Sequence, residues 1–344
     1  MQVAIGMGTA NGTRLAITKS ELPPCCLRIH PDDDGLILVG TYKLEESGSR
    51  HGSVDIFRFE NDGQLALQNS YKTASAVLDL KFDPFGSCRL VTAHSTGCLT
   101  VWKSTGDRLE QVQNLQLFDE DNLVTSVFFD PMRRGKVLAT LTSGEAALVD
   151  LETSSMDILD QTHELECWTG SFGEVGDLSN VVFTGGDDAK VICHDTRTKS
   201  SIWTTSRRHH DAGVVSILSL GPQWNSANPH HLFTGSYDDN LRLFDLRLMD
   251  RANPLLVPGI PPSLLAQENL GGGVWRLCPG PDSQLLVCCM YDGARVVKTG
   301  GDSWTVSSTF VDGHESICYG GDWSKRDYVS TCSFYDKVIQ VWRP

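Results

Sequence analysis

The chain's 344 residues, 40% hydrophobic and 21% charged, suffice for a sizeable buried core and exclude a mainly disordered protein. A formal charge of −14, from 29 Lys and Arg against 43 Asp and Glu, offers no basic footprint for a phosphate backbone and argues against a nucleic-acid partner. The 32 glycines are spread without a collagen-like period, which points to many tight turns and an all-β chain.

In chain order, residues 1–18 lack a basic segment followed by a long apolar stretch, so no secretory leader is expected. No run anywhere reaches the roughly 18 apolar residues of a membrane span. Residues 14–18 alternate apolar and polar side chains as a short strand would. Beyond them one pattern recurs: an apolar strand, a Pro/Gly/Asp turn, a second strand, a turn ending in Asp or Gly, and a third strand closing on an aromatic residue or Asp. It is clearest over 213–247, 273–298 and 316–342, and fainter over 25–59, 76–102, 124–150 and 167–197. Aligned on their second turns at Gly52, Gly97, Gly144, Ala189, Asp239, Gly293 and Lys337, the copies recur every 44 to 54 residues. That spacing is close to the roughly 40–45 residues of a WD repeat with loop insertions. Period-two runs such as Leu241-Arg242-Leu243-Phe244 make the elements strands.

The prediction is an all-β protein: a seven-bladed WD40 β-propeller, a single domain over 1–344. The last repeat ends with its third strand, so the segment around 14–18 is expected to supply the fourth and close the ring. The literal WD signature is eroded. Only Gly313-His314 spells GH, and Trp-Asp reads Phe244-Asp245 and His194-Asp195.

Eleven cysteines, none in a CxxC pair, give no zinc spacing. Most fall in apolar runs, as reduced thiols do, so a cytosolic or nuclear monomer without metal is expected. No GxSxG elbow, HExxH, Walker loop or Gly-rich dinucleotide turn is present. An interaction scaffold is therefore one standing reading.

The residue before the Asp of each second turn faces the rim of a propeller channel. Here those positions carry Asp187, Tyr237, Tyr291 and Tyr335, with Tyr42 comparable in the first repeat. They form either a cage for a cation, worth about 0.5–2 kcal/mol per aromatic face, or packing under neighbouring loops. Loops entering the blades at the same rim carry His163, Glu166 and Trp168; His209-His210; three glycines at 271–273 before Trp275-Arg276; and His314 before Ser316. The spacing of His314 to Asp336 and Trp342 matches a WD staple, a structural role. The blade of His210 ends in Phe244, which has no N–H, and this leaves His210 available as a rim base or as an ordinary surface histidine.

The segments VFTGGDDAKVICHDTR (182–197), RHHDAGVVSI (208–217), TGSYDDNLRLFDLR (234–247), GGVWRL (272–277) and YGGDWSKRDYVSTCSFYDKVIQVW (319–342) resemble the WD-repeat family of diphthine methyl ester hydrolases. LVGTYKL (38–44) and HELECW (163–168) do so more faintly. The resemblance implies hydrolysis of the methyl ester of methylated diphthine on translation elongation factor 2, giving diphthine and methanol in diphthamide biosynthesis, without metal or organic cofactor. It implies that Tyr237, Tyr291, Tyr335, Trp275 and Trp168, with Asp187 and Glu166, hold the trimethylammonium group beside the ester. Arg276 or the glycine-loop amides would stabilise the oxyanion. The attack would come from water activated by His210, with His209 as the alternative, or from Ser316 beside a histidine. Were both histidines to face away from the channel with no other base near Trp275 and Arg276, a scaffold would be the better reading.

Overall fold

A computed structural model describes residues 10–60, 62–86, 88–222, 224–247 and 259–344. Seven sheets of at least four strands each follow one another in chain order, antiparallel throughout except that Ala10–Asn11 adds in parallel to the edge strand Ser303–Phe310. Their first strands are Pro24–His30, Val77–Phe82, Val124–Phe129, Cys167–Phe172, Val214–Ser219, Arg276–Pro279 and Cys318–Trp323. Each first strand touches the next, and the seventh touches the first, so the sheets stand as blades around a closed channel: a β-propeller. Apart from two 3₁₀ turns, Gly176–Asn180 and Pro281–Ser283, the described residues contain no helix.

Apolar residues fill the seams between blades. Leu27, Ile37, Cys332, Ile339 and Val341 join the seventh blade to the first. Cys278, Leu286, Cys288, Cys318 and Trp342 join the sixth to the seventh. All eleven cysteines are free, and all but Cys25 and Cys88 are buried, packed as small hydrophobes.

The ring is closed from the N-terminus. Thr13–Lys19 pairs antiparallel with Val338–Arg343, from Thr13 opposite Arg343 to Lys19 opposite Val338, and completes the seventh blade. Six of the seven aligned turn positions, Gly97, Gly144, Ala189, Asp239, Gly293 and Lys337, have left-handed backbone with φ between 60° and 89°. The hairpin register, and not residue type, imposes this conformation, because three of the six are not glycine. Gly52 departs from the alignment. The first blade extends its hairpin through Lys43–Leu44, the turn moves to Gly48 (φ 84°), and Gly52 is a strand glycine whose Cβ would overlap the Thr41 carbonyl.

Buried histidines staple several blades. His314 Nε2 lies 2.8 Å from Thr331 Oγ1, to which Trp342 Nε1 donates at 3.0 Å, and His314 Nδ1 lies 2.9 Å from Ser333 Oγ. In the fourth blade Thr184 Oγ1 sits between His163 Nε2 (3.0 Å) and His194 Nε2 (2.9 Å), so His194 stands in for the tryptophan. Burial pulls His94 and His314 down to about 4, and His194 and His210 down to about 3. Between those values and the unfolded value near 6.5, the unfolded chain binds more protons. The stabilisation is complete above about pH 6.5 and is lost as pH falls toward 4. Melts at pH 7.5, 6 and 5 are expected to show a loss on the order of 5 kcal/mol across the series; a flat midpoint would refute the neutral staples.

Candidate active site

The first strand of the blades carries a repeated irregularity. Its register skips one residue: Cys25, Leu78, Thr125, Trp168, Val215 and Tyr319 in blades one to five and seven. A bulge leaves its extra residue unpaired and re-aims the side chain. In the sixth blade Trp275 holds the same place, next to Val274, whose N–H donates to the Ser236 carbonyl. All of these except Val215 line one cavity of about 560 Å³. Arg276, Phe334, Tyr42, Lys43 and the turn residues Tyr237 and Tyr335 add to its wall.

Trp275 is the hub of this wall. Its ring stacks on Tyr319 at 4.7 Å and meets Tyr237 at 5.9 Å and Trp168 at 5.8 Å. Tyr319 continues to Phe334 at 5.3 Å. Glu166 and Asp187 stand beside the Tyr237 phenol; burial and these two carboxylates raise it. Burial, then the Glu166 charge, raises Asp187 above its ordinary value. Gly213 lets the pair close up, since a Cβ there would come within 2.5 Å of Asp187 Oδ1 and 3.1 Å of the Tyr237 ring.

Arg276 supplies the buried positive charge of the cavity; Lys43, half exposed and paired with Glu45 at 2.9 Å, also lines it. Arg276 Nη2 lies 3.5 Å from Asp79 Oδ1, and Asp79 is fixed in turn by the Val127 N–H (3.1 Å) and Lys81 Nζ (2.6 Å). Cys25, on the same wall, is pushed up to about 12 by burial, so it is a thiol and not a nucleophilic thiolate at neutral pH. Among the described residues no group of three or more His, Cys, Asp or Glu is placed to hold a metal.

Of the sequence candidates, Trp168, Tyr237, Trp275, Arg276 and Tyr335 meet at the cavity, with Glu166 and Asp187 beside it. His210 does not. It is buried, with Nε2 2.8 Å from Thr234 Oγ1, and lines no part of the cavity. The missing indole N–H at Phe244 does not free it, because Thr234 holds it as Thr331 holds His314. His209 turns to Ser206 instead. Ser316 is likewise structural: it is buried, its Oγ accepts the Tyr335 N–H (3.0 Å), and both nitrogens of His314 are taken. Tyr291, 69% exposed, does not line the cavity, though it stands near the Tyr319 phenol. The 271–273 glycines serve close packing: a Cβ on Gly272 would overlap the Cys289 carbonyl, and one on Gly273 would lie 2.5 Å from Met290 Sδ. Cys25, Tyr319 and Phe334 were not among the candidates. The first two share the second position of each repeat's first strand, a column the alignment already contained.

Residues 202–245 match the family described as WD domain, G-beta repeat. A Saccharomyces cerevisiae protein named diphthine methyltransferase is 40% identical, over 95% of this chain and 97% of its own. A Schizosaccharomyces pombe protein of the same name is 32% identical over 90% and 91%, and a Homo sapiens one is 26% identical over 83% and 64%. A chain in a crystal structure of the mitotic checkpoint complex superposes with a TM-score of 0.73 at 14% identity, covering 100% of this chain and 95% of that one, a likeness of fold alone. With the propeller and the 40% identity over nearly the whole of both chains, this protein belongs to the diphthine methyltransferase family of WD-repeat proteins.

Proposed function

We propose that this protein acts in diphthamide biosynthesis by hydrolysing the methyl ester of methylated diphthine on translation elongation factor 2. The observation that carries the reading is the pairing, in one cavity, of a continuous aromatic wall with the Arg276 guanidinium. The substrate has matching parts: a trimethylammonium group and, beside it, an ester carbonyl. The cation sits against Trp275, Tyr319, Tyr237 and Trp168, with Glu166 and Asp187 adding negative charge. The carbonyl oxygen points to Arg276.

Water attacks the carbonyl carbon and gives its proton to Asp187, a stronger base than an ordinary aspartate because its pKa is raised. The oxyanion forms against Arg276. When the C–O bond to the methoxy group breaks, the leaving oxygen takes the proton back from Asp187. The products are methanol and an acid that loses its proton to become a carboxylate. The relatives' name describes movement of a methyl group; in this reading the ester's methyl leaves on its own oxygen, and the carbonyl carbon is the site of attack.

The burial of His210 and Ser316 favours a second reading, in which the same face binds a partner without turnover. Incubating the protein with methyl-esterified elongation factor 2 separates the two. Hydrolysis yields one methanol per ester lost, whereas a scaffold yields a complex and no methanol.

A further inference from the structure

We propose that the floor of the cavity is a carboxylate subsite, so that the protein holds its product, a trimethylammonium carboxylate, more tightly than the methyl ester it consumes. This rests on the function proposed above. Five charged side chains interact in a chain along the channel: Arg276, Lys81 and Arg28 around Asp79, and Asp322 beside Arg28 and Lys81. The carboxylates are already engaged. Asp79 takes the Val127 N–H and both its oxygens lie 2.6 Å from Lys81 Nζ. Asp322 takes the Ile29 N–H at 2.9 Å and the Trp323 N–H at 3.0 Å.

One positive charge of this set has no anionic counterpart, and a buried charge is costly unless paired. Burial first, and then the two arginines, pull Lys81 down to about 8 against the pull of Asp79. Arg276 is the cation of the three that lines the cavity, and its approach to Asp79, 3.5 Å, is too long for a good hydrogen bond. Its fork is therefore the one least committed within the channel. An ester oxygen is neutral and leaves the surplus in place. A carboxylate removes it through a charge-assisted contact. The developing oxyanion removes it too, so the feature that favours the transition state also retains the product.

The test uses three small probes on the full chain: tetramethylammonium, betaine (trimethylammonium beside a carboxylate) and betaine methyl ester. Calorimetric titration is expected to give betaine a Kd at least about tenfold below that of its methyl ester. In Arg276→Met the two affinities are expected to converge while tetramethylammonium binding persists. Equal or tighter binding of the ester by the wild-type protein, with tetramethylammonium still bound, overturns this inference alone. Failure of tetramethylammonium to bind removes the cage, and with it both this inference and the proposed function.

Discussion

Arg276→Met lowers kcat for methanol release by about 10²–10³-fold and leaves KM within a few-fold of the wild type, the outcome expected when one oxyanion donor is lost. The ground-state ester brings its cation to Trp275, Tyr319 and Tyr237, contacts that the substitution spares. In the proposed reaction the carbonyl gains its charge only on attack, and Arg276 is the guanidinium that lines the cavity where that charge would form. Arg276→Lys keeps a charge but not the planar fork, and an intermediate loss is expected. The fold tolerates the change. Asp79 keeps Lys81 and the Val127 N–H, and the channel is left with two cations facing two carboxylates. Single-turnover kinetics beside a thermal melt checks both halves, and an unchanged kcat in a folded variant contradicts the role assigned to Arg276.

Truncating the chain before Ser20 lowers the thermal midpoint by roughly 10 °C or more, because the seventh blade loses its fourth strand. The loss is more than a ladder of backbone bonds. Arg14 Nε donates to Gln340 Oε1 at 2.6 Å and its guanidinium pairs with Asp312 at 2.7 Å, while Ala16 is buried in the seam with the first blade. Without these residues Val338–Arg343 becomes an open apolar edge, and concentration-dependent aggregation is expected alongside the lower midpoint. Calorimetry of the truncated chain gives the answer; a melting curve that does not move shows that the ring holds without its N-terminal strand.

The blades were legible because a propeller repeats one backbone solution. The same hairpin turn recurs near a fixed interval, and the residues aligned from the sequence at 97, 144, 189, 239, 293 and 337 are those with left-handed backbone. The aromatic wall of the cavity was legible in part. Tyr237 and Tyr335 follow from turn position, whereas Tyr291, at the equivalent turn and as exposed as Tyr335, stands near the Tyr319 phenol without lining the cavity. The histidine was misjudged because the indole N–H of such a staple donates to the threonine and not to the histidine: with Phe244 in place of Trp, Thr234 still holds His210 as Thr331 holds His314. Ser316 failed too, as a hydroxyl consumed by the turn it caps. The bulge escaped notice because it is a relation between two strands. Once it is known, the column Cys25, Leu78, Thr125, Trp168, Val215, Trp275 and Tyr319 reads directly as the upper wall of the channel, with only Val215 falling outside the cavity.

The central claim is that water attacks the carbonyl carbon of the ester. Turnover of methyl-esterified elongation factor 2 in ¹⁸O-labelled water, followed by mass spectrometry of both products, tests it most directly. The account predicts one labelled oxygen in the protein-bound carboxylate and unlabelled methanol; label in the methanol, or loss of the ester with no methanol formed, would contradict it.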